Sequence, residues 1–144
     1  MDTSLLDTVK HSLLNGVSSF DFSILEHEES ASFGNAQVVL QSDELRLRVI
    51  RDRGLVFVDF GSAAAPRTWF DSAVVFDWLK LSALGGLHGS DSSHVLRGVA
   101  ELLRACGPEI REKFSRSHFQ TANTELETIR DSRAAKLYRF VEGP

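Results

Sequence analysis

The chain carries a single cysteine, Cys106, among its 144 residues, so no internal disulfide can brace the fold. It has no apolar run long enough to cross a bilayer, and the opening MDTSLLDTVK lacks the basic start and continuous apolar segment of a secretory signal. No internal repeat or low-complexity tract interrupts it. Motifs of named chemistries are missing too. There is no G-x-S-x-G nucleophile elbow, and the glycines of Leu84–Ser90 lack the Lys-Ser/Thr of a phosphate-binding loop. These absences set the expectation of a cytoplasmic protein with no membrane partner, no cofactor and no recognisable catalytic residue.

What is present describes an ordinary globular domain. Hydrophobic residues make up 42% of the chain and charged residues 25%, as in typical soluble folds. A chain of this length buries about 70% of its unfolded surface, which is enough for one independent core over residues 1–144. The net charge of −4 is unevenly spread: residues 1–45 hold eight acids and one base, whereas residues 46–70 hold five bases and two acids. An acidic first third repels a phosphate backbone and attracts a basic surface, so general nucleic-acid binding is disfavoured.

The strongest structural signal is FGNAQVVLQSDELRLRVIRDRGLVFVDF, Phe33 to Phe60. Alternation and turn residues together select a three-stranded antiparallel meander. A two-residue loop at Ser42 and Asp43 places Leu40 opposite Leu45, Val38 opposite Leu47 and Ala36 opposite Val49. A tight turn at Arg53 and Gly54 then places Val49 opposite Val58, Leu47 opposite Phe60 and Arg48 opposite Asp59, which sorts apolar residues to one face and pairs charges on the other. Upstream, Phe20 to Glu26 reads as a further strand and His27 to Ser32 as a polar loop. Downstream, Ala63 to Pro66 is a connection and Arg67 to Phe70 a short edge strand.

Helices flank this sheet. Ser4 to Asn15 carries Leu5, Leu6, Val9, Leu13 and Leu14 on one face, with Asn15-Gly16 as its stop. Asp71 is an N-cap for a helix bearing Val74, Val75, Trp78 and Leu79. Leu84 to Ser90 reads as a surface loop. Val95, Leu96, Val99, Leu102, Leu103 and Cys106 mark a core helix that Gly107 ends, and Pro108 opens a short helix with Ile110 and Phe114. A last helix, Phe119 to Phe140, turns Leu126, Ile129, Leu137 and Phe140 inward. The order predicts an α+β fold: an antiparallel β-meander of four to five strands packed on one face by N-terminal and C-terminal helices.

The opposite sheet face is the candidate site. It displays Gln37, Gln41, Glu44, Arg46, Arg48 and Asp59 around Val39, Ile50, Phe57 and Leu55, an apolar centre in a polar rim like that of a protein interface. Phe57, Arg48, Arg46, Ile50, Gln37 and Asp59 are therefore the candidate protein-binding residues. The competing reading is that a helix, the last one in particular, covers them.

Other chemistries have weaker signals. His88, Asp91 and His94 could gather around a divalent metal, but Ser90, Asp91 and Ser92 are more simply helix caps. His27-Glu28-Glu29 reads as a solvated acidic loop, and Cys106 as a small hydrophobe on a core stripe. Arg46, Arg48, Arg51 and Arg53 are dense enough to track a phosphate backbone, yet Glu44, Asp52 and Asp59 would neutralise much of that ribbon. Trp69-Phe70 reads as a wedge between the sheet end and the following helix.

The meander FGNAQVVLQSDELRLRVIRDRGLVFVDF followed by WFDSAVVFDWL resembles a family of small uncharacterised bacterial α+β proteins, and the chain is similar in size and acidity to the immunity proteins of bacterial toxin systems. The resemblance implies a cytoplasmic protein that binds another protein stoichiometrically, as an immunity-type inhibitor or small regulatory partner. An enzyme or small-ligand binder with a site assembled from distant residues is the alternative, nucleic-acid binding is third, and self-association is left open.

Overall fold

Turn chemistry sets the central sheet. Strand β3 (Leu45–Asp52) returns as β4 (Leu55–Ser62) through Arg53 and Gly54, both at positive φ, 53° and 83°, as a type I′ hairpin requires. The resulting register pairs Val49 with Val58, Leu47 with Phe60 and Arg48 with Asp59, as the alternation predicts. Strand β2 (Ala36–Ser42) meets β3 two residues away from the expected register: Leu40 faces Leu47, Val38 faces Val49 and Ala36 faces Arg51. The loop is therefore Asp43-Glu44, not Ser42-Asp43. Ser42 is drawn into the sheet because its hydroxyl is buried, donating to the Phe20 carbonyl and accepting from Arg111 Nη2. A two-residue shift keeps side-chain parity, so the face assignments stand.

The computed structural model describes residues 4–30, 35–81 and 88–142, with side chains as far as Lys136. Helix α1 (Leu5–Ser12) starts at Ser4, whose hydroxyl accepts from the Asp7 amide, and a 3-10 segment, Leu14–Phe20, replaces the expected Asn15-Gly16 stop. Strand β1 is Ser23–Glu29, three residues later than the alternation of Phe20, Phe22 and Ile24 suggests. His27, Glu28 and Glu29 thus belong to a strand. Their charges read as loop, but β1 is an edge strand and holds them in solvent. Short strand β5 (Trp69–Asp71) leads into α2 (Ser72–Trp78), capped by the Asp71 carboxylate. The expected loop Leu84–Ser90 falls partly outside the described residues, and within it His88–Gly89 form strand β6 on β4. The antiparallel order is β1-β2-β3-β4-β5, with β6 also on β4.

Helix α3 runs unbroken from Ser92 to Lys113, through both Gly107 and Pro108. Gly107 does not end it, because its missing side chain admits the Phe20 ring: a Cβ there would lie 2.0 Å from Phe20 Cζ. Ile110 and Phe114, fully buried, hold the turn beyond the proline in place. Helix α4 (Phe119–Glu142) buries Phe119, Ala122 and Leu126 and docks on α2, where Arg133 pairs with Asp77 at 2.6 Å and Trp78 Nε1 donates to Glu125. Leu137 and Phe140 lie outside the described side chains.

Helices α1, α2, α3 and α4 contribute to one continuous core with Leu40, Leu47, Val49, Val58 and Phe60 of the sheet. Phe60 stacks on Phe114 with ring centroids 6.4 Å apart, joining β4 to the end of α3. This is an α+β fold with an antiparallel sheet flanked by N-terminal and C-terminal helices, and the alternate residues of β2, β3 and β4 point away from that core.

Candidate functional site

The residues pointing away from the helices form a polar face with an apolar centre. Phe57 and Leu55 are 38% and 44% exposed, so no helix of the described structure covers this part of the sheet. Ile50, opposite Phe57, and Gln37, opposite Ile50, are half-buried. Val39 is only 2% exposed although it stands outside the continuous core. Its cross-strand neighbours are Glu26 and Arg48, whose aliphatic stems can shield it while their charges reach water.

Arg48 is the organising side chain. Its Nη2 and Nε donate to Oδ2 of Asp59 at 2.7 and 3.1 Å, and its guanidinium lies 4.8 Å from the centre of the Trp69 ring. The Arg46 guanidinium lies 5.3 Å from the centre of the same indole and donates through Nη1 to the Pro66 carbonyl. The indole reaches across the sheet because its partner on β4 is Gly61, where a Cβ would come within 3.0 Å of Trp69 Cε3. Trp69 therefore contacts two arginines, while Phe70, on the opposite parity, is buried in the core. The two aromatics do not act as one wedge.

Burial decides the roles. Arg46, at 9% exposure, is a support for the face, and its Nε is buried with no hydrogen-bond partner. The Arg48 and Asp59 side chains keep 28% and 13% of their exposure, so part of the ion pair is presented to solvent. Burial pushes the Asp59 carboxyl above its usual range; Arg48 opposes this and the neighbouring Asp71 charge reinforces it. Glu44 does not join the face, because it lies in the β2–β3 turn and accepts from the backbone and side chain of Arg116.

Two neighbours of the face come from pairings that the sequence does not announce. His88 of β6 lies opposite Phe57, with ring centroids 6.2 Å apart and planes 15° from parallel. Asp71 of β5 lies opposite Asp59. With Ile50, Asp52 and Ala73 these residues line an open groove of about 460 Å³ beside the Arg48–Asp59 pair.

The other expected sites separate. His88 belongs to the sheet, whereas Asp91 Oδ1 accepts from the His94 amide and caps α3. Among the described residues no group of three or more His, Cys, Asp or Glu side chains could hold a metal ion. Glu29 accepts from the Leu5 amide at 2.7 Å and faces Arg51 at 3.9 Å, tying the edge strand to the start of α1. Cys106 is half-buried against the core. Among the described residues no helix is long and apolar enough to cross a membrane. No family model, no curated protein and no solved structure matches this chain.

Proposed function

We propose that this chain is a protein-binding module that takes up one partner on the helix-free face of its sheet. The observation that carries the reading is the exposure of Phe57 and Leu55 on the helix-free side of β4, on the same face as an arginine already held by Asp59 and Trp69. Aromatic and arginine side chains dominate interface energies because they combine contact area with directional bonding. An arginine that is ordered before binding loses less side-chain entropy when the partner arrives. A cytoplasmic bacterial setting, and a role as immunity-type inhibitor or small regulatory partner, are the specific form of this proposal. They rest on size, acidity and the meander itself.

Affinity capture from cells of the source organism tests the reading, with bound proteins quantified for three baits. Phe57→Ala combined with Leu55→Ala should lose the partner that the unaltered chain retains. Glu109→Ala, on an exposed position of α3 remote from the face, should keep it. Equal recovery on all three baits would move the binding surface elsewhere.

A further inference from the structure

We propose that the partner inserts a basic side chain, an arginine or a lysine, into the groove between Phe57, His88, Asp59 and Asp71. This deepens the reading above and rests on it. The charge on the face is the first reason. By strand register, among the described residues, it carries Glu26, Glu28, Asp52, Asp59 and Asp71 against Arg46, Arg48 and the imidazole of His88. Both arginines are already engaged, Arg46 by the Pro66 carbonyl and Arg48 by Asp59. The surface offered to a partner is thus acidic around an apolar centre, and complementary charge is what steers and registers docking.

The groove shows how a cation would be held. Asp59 and Asp71 are direct cross-strand partners, an arrangement of like charges that repels unless a positive group stands between them. The Arg48 bonds both go to Asp59 Oδ2, and the Asp71 cap bond is accepted by Oδ1, so these bonds leave one oxygen of each carboxylate unused. Burial is the first cause of the raised Asp59 carboxyl, and the neighbouring Asp71 charge adds to it. Phe57, partly exposed and stacked on His88, adds an aromatic ring beside the carboxylates, where a guanidinium or ammonium is attracted by the ring. Ile50 and Ala73 give the aliphatic stem an apolar wall.

The test is a titration of the isotope-labelled full chain, read by backbone amide shifts, with Nα-acetyl-arginine amide and with its citrulline counterpart as the uncharged isostere. The arginine probe should give saturable shifts at Phe57, Asp59, Asp71 and His88, with a Kd in the millimolar range. Citrulline should give none. Asp71→Asn keeps an oxygen to cap α2 while removing one charge, and should weaken the arginine response roughly fivefold. Phe57→Ala should weaken it as well, and both variants are checked for folding by the remaining amide shifts. A flat arginine titration, an equal response to citrulline, or undiminished binding by Asp71→Asn overturns the proposal. The capture experiment stands apart from this. Loss of the partner by the combined Phe57→Ala and Leu55→Ala bait with a flat arginine titration would retain the face and refute the basic side chain.

Discussion

Alanine at position 107 sets two effects of opposite sign against each other. Gly107 lies inside α3, where replacing glycine by alanine ordinarily stabilises a helix by about 1 kcal/mol. Here the added methyl would sit 2.0, 2.7 and 3.2 Å from three atoms of the Phe20 ring. The ring must move, and moving it disturbs its stack on Phe22, 5.7 Å away, and the Arg111 guanidinium lying 4.3 Å over it. Overpacking of this kind costs about 1–3 kcal/mol. A 2.0 Å approach is far inside contact distance and puts the clash at about 2–3 kcal/mol, so after the propensity gain Gly107→Ala should lose about 1–2 kcal/mol, a fall of roughly 0.5–1 M in the urea midpoint. In a Phe20→Ala background the obstacle is gone and the same substitution should stabilise by about 0.5–1 kcal/mol. Urea denaturation of the four chains closes the cycle. A Gly107→Ala chain as stable as the unaltered one would refute the close approach of Phe20 to α3.

Asp59→Asn tests the carboxyl that burial raises. Such a group binds its proton more tightly in the folded chain, so the stability it contributes is greatest below its ordinary value of 3.8 and is lost as pH rises through the folded value. The stability difference, unaltered chain minus Asp59→Asn, should therefore fall as pH rises from below 3.8 in urea melts, and a rise would show that Arg48 outweighs burial. Arg48→Ala leaves Asp59 without its ion-pair partner and should destabilise by about 1–2 kcal/mol, with a change in Trp69 environment visible in fluorescence. Cys106→Ser should lower the melting temperature modestly and leave partner capture intact; loss of capture at an unchanged melting temperature would give the thiol a functional role.

The sheet was legible where turn residues and charge pairing agreed. Arg53-Gly54 specifies its turn type, and the Arg48–Asp59 pair follows from it. The β2–β3 loop was misplaced because Ser42 looks like a turn residue and its buried bonding with Phe20 and Arg111 is tertiary. Gly107-Pro108 reads as a helix end, since local propensity knows nothing of an aromatic ring approaching from another segment. The candidate face was legible by parity, including Phe57, Arg48 and Ile50. Its groove was not, because His88 and Asp71 reach Phe57 and Asp59 only through strands of two and three residues, too short to leave a period. Trp69 carried a signal in hindsight: it precedes a core phenylalanine, so strict alternation points it to the arginine face.

The helix-free face is the proposed seat of the partner. Hydroxyl-radical footprinting of the captured complex against the free chain addresses it directly, since Phe57, Leu55 and Trp69 are reactive side chains on that face. These three should lose reactivity in the complex while exposed positions of α3 and α4 keep theirs. Protection confined to the helices, with Phe57 and Leu55 as reactive as before, would contradict that placement.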